Sequence, residues 1–191
     1  MNTTRLAEGY IIYRRKIGEA DLNVTVFSKQ CGKIILLAKS ARKILAKNIG
    51  NLELGYYIKF HFVENEKRNR LTSIDEMKPI KINPKDLNEV KNMLEICVLL
   101  NKFLAERVIN INDYRLVEEV FSSGKFTDLL VLYFKIKLIM MSGFPLDART
   151  NKLIYFLSSH DFLTIKRLKF NSKIFIESRE LINQTISNII E

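Results

Sequence analysis

The first 82 residues alternate between apolar and polar positions with the two-residue period that is typical of β-strands. Residues 55–63 show this most clearly: Tyr56, Ile58, Phe60 and Phe62 form an apolar face, and Tyr57, Lys59 and His61 form a basic, aromatic outer face. Residues 10–15, 22–28, 33–38 and, more weakly, 70–77 have the composition of further strands. The run from Ile34 to Ala38 is continuously apolar, which predicts cover on both faces. Short strands separated by turns predict a small barrel.

Beyond Asn83 and Pro84 the hydrophobic period becomes that of α-helices. Asn83 is predicted to cap a long helix that ends near Asn110. Its predicted buried face consists of Leu87, Val90, Leu94, Cys97, Leu104 and Val108. Further helices are predicted over residues 113–123, 126–141, 151–159, 161–169 and 172–190. The helix over 126–141 is apolar on several faces, so we expect it at the centre of a bundle, with Met140 and Met141 in the core.

The two patterns together predict an α+β protein with two domains. A β-barrel of five strands occupies residues 1–82, and an all-α helical domain occupies residues 83–191. The boundary is expected near Ile82, where the period changes from two residues to 3.6.

The composition is that of a folded protein in a reducing compartment. The chain has 191 residues, 47% of them hydrophobic, which is enough to form a core. Cys31 and Cys97 are too few and too far apart for a disulfide framework or a cysteine-based zinc site. The N-terminus has no secretory signal, and Lys135 and Lys137 interrupt the most apolar stretch, residues 129–144. We therefore expect a cytosolic protein without a membrane span.

The net charge of +10 is concentrated in the N-terminal part of the chain. Residues 1–82 contain 16 Lys and Arg against 8 Asp and Glu, whereas residues 83–191 contain 15 against 13. Residues 22–52 contain no carboxylate but six cations, namely Lys29, Lys33, Lys39, Arg42, Lys43 and Lys47. Because nothing within this segment neutralises these cations, a polyanion is the expected partner.

Cations beside aromatic rings indicate a site for single-stranded nucleic acid, because cations bind phosphates and rings stack on bases. Besides the acid-free segment, two clusters in the predicted barrel combine cations with aromatic residues. Arg14, Arg15 and Lys16 adjoin Tyr10 and Tyr13, and Lys59 adjoins Tyr57. The alternative interpretation is a solubilising surface, which lysine-rich proteins commonly carry.

The sequence contains no motif of a known catalytic or cofactor site. It has no glycine-rich phosphate loop, HExxH, GxSxG or CxxC pair. His61 and His160 are isolated from each other, and single histidines are usually structural or exposed. We therefore expect a binding protein rather than an enzyme, with no cofactor and no bound metal.

Residues 19–43, EADLNVTVFSKQCGKIILLAKSARK, resemble the start of the RecO family of DNA repair and recombination mediators. The family pattern there is roughly E-A-D-x-x-V-T, a spacer, G-K-[IL] and A-K-G-A-R-[RK]. Residues 8–15, EGYIIYRR, fit the strand before it, and residues 133–147, YFKIKLIMMSGFPLD, resemble the later F-x-x-x-L-L-x-x-x-G-Y-x-P-x-L segment. Order and spacing both agree.

This resemblance implies an N-terminal OB-fold barrel and a C-terminal helical domain. It also implies binding of single- and double-stranded DNA, annealing of complementary strands, and help in loading the RecA recombinase on DNA. The implied protein partners are RecR and the acidic C-terminal tail of single-stranded DNA-binding protein, in the bacterial cytosol and near the nucleoid. By position, Lys33, Lys39, Arg42 and Lys43 match the family's basic residues, and Gly32 matches its turn.

Two departures from the family pattern lead to expectations. Ser40 stands where the family usually has glycine, so the loop is expected to differ, because serine enters positive φ less readily. Many family members carry a four-cysteine zinc site after the G-Y-x-P segment. Residues 146–152 are short and contain no cysteine, so a zinc-free form is expected.

Two other classes of function stay open from the sequence. One is an OB-like module that binds structured RNA, for example in ribosome assembly. The other is a structural or interaction subunit whose basic face meets an acidic protein or an anionic lipid.

Overall fold

The alternating N-terminal residues form five strands that close into a barrel. The computed structural model describes residues 3–41, 52–65, 68–144, 146 and 151–190. The strands are β1 (Thr3–Ile17), β2 (Asp21–Ser28), β3 (Gly32–Ala38), β4 (Tyr57–Glu64) and β5 (Asn69–Lys78). Their order around the barrel is β1-β2-β3-β5-β4. Neighbouring strands are antiparallel except β3 and β5, which run parallel.

The alternation of β4 fills the barrel as predicted. Ile58, Phe60 and Phe62 are almost completely buried, while Lys59 between them is only half-buried. The prediction for β3 is wrong in one respect, because its outer side is not fully covered. Ile35 on that side is 37% exposed, although the run around it is apolar without a break.

The described residues after β5 form six helices. They are α1 (Leu87–Phe103), α2 (Ile111–Ser122), α3 (Asp128–Met141), α4 (Lys152–Ser159), α5 (Phe162–Ile165) and α6 (Ser172–Ile190). The bounds of α2, α4 and α6 agree closely with the predicted helices. The fifth helix is a single turn, shorter than predicted.

Helix α1 begins and ends inside its predicted limits. Asp86 caps it instead of Asn83, because the Asp86 carboxylate accepts hydrogen bonds from the amides of Asn88 and Glu89. The helix ends at Phe103, and the residues up to Asn110 form a connection to α2.

The buried face of α1 also differs from the prediction. Leu87 and Leu94 are 80% and 40% exposed, and Val108, beyond the helix, is 56% exposed. Cys97 and Leu104 are buried as predicted. Packing against α3 and β1 also buries Met93, Ile96, Leu99 and Leu100, which the prediction did not include.

Helix α3 lies at the centre of the helical part, as predicted, and packs against α1, α2, α4 and α6. Lys135 of this helix is buried; it forms an ion pair with Glu95 and donates to the Asn183 side chain at 2.7 Å. Met140 is 45% exposed, so its predicted place in the core is wrong. Among the described residues, no helix combines the length and apolarity needed to cross a bilayer.

The barrel and the helices share apolar contacts. Tyr10, Ile12 and Phe27 from β1 and β2 belong to the hydrophobic cluster of the helices. A bulge in β1 between Ile11 and Tyr13 separates the part that packs on helices from the part that faces outward. The division into domains at residue 82 stays a prediction.

Both cysteines are free and buried. Cys31, just before the start of β3, is only 8% exposed. Burial raises the pKa of the Cys97 thiol to about 12.

Candidate nucleic-acid interface

Strand pairing places four residues side by side on the outside of β1, β2, β3 and β5. Arg15 pairs with Asn23, Asn23 with Leu37, and Leu37 with Arg70. Directly paired residues point to the same side of a sheet, and the residues next to them along β2 and β3 fill the barrel. At about 4.8 Å between strands, Arg15 and Arg70 lie about 14 Å apart along this surface.

A second row of paired residues on the same side contains an exposed aromatic ring. Tyr13 pairs with Thr25, and Thr25 with Ile35. Tyr13 is 44% exposed, so its ring is available to stack on an unpaired base. Lys39 is exposed and follows Leu37 by two residues, one position beyond the end of β3. We call Tyr13, Arg15, Ile35, Lys39 and Arg70 the outer basic face.

The cations of the outer basic face are exposed. Arg15, Lys39 and Arg70 form no ion pair with another residue that the structure describes. Lys16 and Arg68, both exposed, stand near its edges, beside the β1–β2 turn and just before β5. These positive charges are therefore available to a polyanion.

The outer side of β4, which the sequence also indicated, is arranged differently. Strand pairing places Lys59 between Glu8 and Glu76. The Tyr57 hydroxyl donates to the Glu8 carboxylate at 3.0 Å, and the Lys78 ammonium lies 5.2 Å from the centre of the Tyr57 ring. Desolvation, with a smaller effect of the Glu8 bond, raises the pKa of Tyr57. Tyr57 and Lys59, both predicted to contact nucleic acid, therefore have carboxylates and other protein groups as neighbours.

Two other predicted cations also have carboxylate partners. Arg14 pairs with Glu53 at 2.6 Å and donates to the Leu52 carbonyl at 3.2 Å. The Lys29 ammonium lies 3.6 Å from the Glu8 carboxylate. Exposed ion pairs contribute only about 0–1 kcal/mol, so a phosphate could displace these carboxylates. Binding there would require breaking an ion pair, which binding to the outer basic face does not require.

Lys33 lies in the interior, which the acid-free segment did not predict. It is only 9% exposed, and its ammonium donates to the Asn101 carbonyl at 2.8 Å. Asn101 is in the last turn of α1, where unpaired carbonyls attract cations. Lys33 therefore connects the barrel to the helices, and we do not include it in the interface.

Three more predicted contacts, Arg42, Lys43 and Lys47, lie outside the described residues. Their role in binding DNA stays a prediction.

Known proteins similar to this chain share one name. Residues 1–83 match the sequence model of the family described as Recombination protein O N terminal. A DNA repair protein RecO from each of two strains of Dehalococcoides mccartyi is 23% identical, over 95% of this chain and 88% of its own. A DNA repair protein RecO from Halalkalibacterium halodurans is 25% identical, over 72% of this chain and 55% of its own. The first 83 residues therefore match the RecO family model, and the chain is similar to RecO proteins along most of its length.

The turn residue of the RecO pattern, Gly32, has two reasons to be glycine here. Its φ of +64° is in the left-handed region, and a Cβ at this position would overlap the carbonyl of Val108. Next to it, the Arg107 amide donates to the Lys33 carbonyl at 2.9 Å. The connection between α1 and α2 therefore packs directly on the start of β3.

Ser40 stands where the RecO pattern usually has glycine, and its φ is +55°, in the left-handed region that glycine enters more readily. Residues 42–51, which follow it, lie outside the described ranges, so the expected difference of the loop stays a prediction. The Ser40 amide donates to the Asp21 carboxylate at 2.8 Å, which holds the residue in this region.

Replacing Ser40 with glycine should increase the free energy of unfolding by about 0.5–1 kcal/mol. Glycine removes the penalty of a Cβ at positive φ, and its greater freedom in the unfolded chain offsets part of the gain. Urea titration followed by circular dichroism measures the change. A loss of stability would mean that the Ser40 side chain contributes more than the strain costs.

Arg70 and Arg68 are the residues of this region that sequence reasoning missed. Arg70 reaches the outer basic face only through the parallel pairing of β3 with β5. The weak alternation over residues 70–77 was the single available signal, and it does not reveal which strand is the neighbour.

No group of three or more His, Cys, Asp or Glu within the described ranges could hold a metal ion. Most of residues 146–152 lie outside those ranges, so the zinc-free form stays a prediction. His61 contacts Asp75 at 2.9 Å, and a ring nitrogen of His160 contacts the Phe156 carbonyl at 2.9 Å.

Proposed function

We propose that this protein binds DNA and acts as a mediator of DNA repair and recombination. In this proposal the barrel is an OB fold that binds single- or double-stranded DNA on its outer basic face. The row containing Arg15 and Arg70, beside exposed Tyr13, carries the proposal, and the match of residues 1–83 to the RecO family model supports it. OB folds bind oligonucleotides on strands 2 and 3 and on the loops that follow strands 1 and 4. Here Lys16 and Arg68 flank those two connections.

The proposed activity is strand annealing, which requires no chemistry on the DNA. Two complementary strands repel each other through their phosphates, and a basic protein surface reduces this repulsion. Base pairing then supplies the free energy. Contacts through phosphates and base faces are tolerant of sequence, as annealing of any complementary pair requires. We accordingly propose a binding protein rather than an enzyme.

The purified protein should accelerate pairing of complementary oligonucleotides without ATP. Fluorescence quenching between labelled strands measures the rate, first with bare strands and then with strands coated by single-stranded DNA-binding protein. Acceleration on coated strands supports a contact with that protein as well as with DNA. No acceleration across a wide range of protein concentrations would contradict the proposal.

A comparison of affinities distinguishes the proposed DNA-binding function from the RNA-binding alternative. Affinities for single-stranded DNA and RNA of the same sequence and length are compared at one salt concentration. Tighter binding of RNA, with no acceleration of DNA pairing, would favour a role in RNA assembly.

A groove between the ends of α1, α3 and α6 is the proposed docking site for the acidic tail of single-stranded DNA-binding protein. Its volume is about 750 Å³, and Phe103, Leu138, Met141 and Phe144 form an apolar lining. Lys102 contributes a cation to the lining, and Asp113, whose pKa is raised by burial, contributes a carboxyl group. This combination suits a peptide that carries both carboxylates and apolar side chains.

The wider role follows from the family. We propose that the protein acts with RecR and helps to load the RecA recombinase on DNA in the bacterial cytosol. The similarity to RecO proteins supports these partners.

A further inference from the structure

The charge of the helical part is unevenly distributed. Although residues 83–191 are nearly neutral, residues 162–176 contain four Lys and Arg and no Asp or Glu. The four are Lys166, Arg167, Lys169 and Lys173, and we call them the α5–α6 basic patch. All four are exposed, and none forms an ion pair with another residue in the described part of the chain.

Hydrogen bonds hold the backbone of the patch in place. The Lys166 amide donates to the Phe162 carbonyl at 2.9 Å, and the Leu168 amide donates to the Ile165 carbonyl at 3.0 Å. The Lys173 amide donates to the Asn171 side chain at 2.9 Å. These bonds fix how the four cations are spaced along the surface.

The carboxylate that precedes the patch in sequence is already engaged. Asp161 caps α5 and accepts a hydrogen bond from the Thr164 amide at 2.7 Å. A hydrogen bond from the Thr164 side chain, with a smaller effect of this amide bond, lowers the pKa of Asp161. Leu163 and Leu168, 65% and 45% exposed, lie among the cations. The surface therefore combines free positive charge with apolar contact area.

The patch is separate from the outer basic face. Helix α6 packs against α3 and α4, whereas α1 packs against β1, and Tyr114 and Phe121 of α2 contact Tyr10 of β1. The two basic surfaces thus belong to different parts of the molecule, one on the barrel and one on the last helices.

We propose that the α5–α6 basic patch binds a second nucleic-acid strand while the barrel holds the first. This inference rests on the proposed function, because annealing brings two polyanions together and each needs its own cations. The two exposed leucines give the bases of the second strand an apolar contact. The helical part would then take a direct role in annealing, besides docking protein partners.

The test compares two full-length variants. In the patch variant, Lys166, Arg167, Lys169 and Lys173 become Gln. In the control, Lys85, Lys91, Arg115 and Lys125, four exposed cations elsewhere on the helical part, become Gln. The change in net charge is identical, and unchanged thermal unfolding confirms that both variants fold.

Energy transfer between two non-complementary labelled strands measures whether one protein holds both. The patch variant should bind a single strand nearly as tightly as the wild type, yet lose the two-strand complex and anneal at least about tenfold more slowly. The control should behave like the wild type in all three measurements.

Other outcomes overturn the inference. Equal annealing by the patch variant and the wild type would do so while leaving the proposed function intact. Failure of the wild type to anneal would instead count against the proposed function itself. Sedimentation with vesicles containing phosphatidylserine tests a lipid partner; binding lost only in the patch variant, with annealing unchanged, would assign the patch to membranes.

Discussion

Replacing Arg15, Lys39 and Arg70 together with glutamine should weaken binding of a single-stranded oligonucleotide about 100-fold at about 0.1 M salt. Each phosphate contact contributes about 0.7 to the slope of log affinity against log salt concentration. At about 0.1 M salt, this corresponds to about a fivefold contribution to the affinity. The loss of three contacts therefore lowers the affinity by about two orders of magnitude and reduces the salt slope by about 2. Fluorescence anisotropy over a range of salt concentrations measures both quantities.

A matched variant separates the outer basic face from total charge. Arg5, Lys29 and Lys78 also lie on the barrel, and each pairs with a carboxylate: Glu64, Glu8 and Glu76, respectively. Replacing these three with glutamine changes the net charge equally but should weaken binding much less, because their charges are already partly neutralised. Equal losses in the two variants would remove the assignment of the face.

Replacing Gly32 with alanine should lower the free energy of unfolding by about 2–5 kcal/mol. Alanine at φ +64° costs about 1–2 kcal/mol, and its Cβ would overlap the Val108 carbonyl, which adds about 1–3 kcal/mol. Because Val108 is in the connection between α1 and α2, the change should loosen the contact between barrel and helices. Chemical denaturation measures the loss.

Gly124 provides the control for this prediction. Its φ is +77°, so alanine there has a similar conformational penalty, but nothing lies within 4 Å of the added Cβ. We expect a loss of only about 1–2 kcal/mol. Equal losses of stability at Gly32 and Gly124 would contradict the prediction. They would show that the connection between α1 and α2 moves away from residue 32 at little cost, so that the barrel and the helices are not tightly packed there.

The strands were largely predictable because the period of two residues is a local property. Ile58, Phe60 and Phe62 lie on one side of β4 whatever the rest of the chain does. Cover by another layer is not local, so the sequence did not show that the outer side of Ile35 stays exposed. The face of α1 is a similar case, since several of its faces carry apolar residues and only packing against α3 and β1 selects one.

The candidate site was predictable in charge but not in geometry. The acid-free segment predicts a basic surface, but two of its cations have other roles or partners: Lys33 bonds to Asn101, and Lys29 lies beside Glu8. A count of charges does not show which carboxylates or carbonyls lie opposite. Arg70 joined the interface because of a parallel strand pairing between distant segments.

The sequence by itself determined the kinds of element, their order, the excess of positive charge in the first 82 residues and the resemblance to the RecO family. These follow from residue type and spacing, which act within a few residues. Tertiary structure alone decided which cations stay free on one face and which are paired or buried. It also decided that Ser40 keeps a left-handed backbone, because its amide bonds to Asp21, a residue from another part of the chain. Long-range pairing and packing set these features, and no local pattern encodes them.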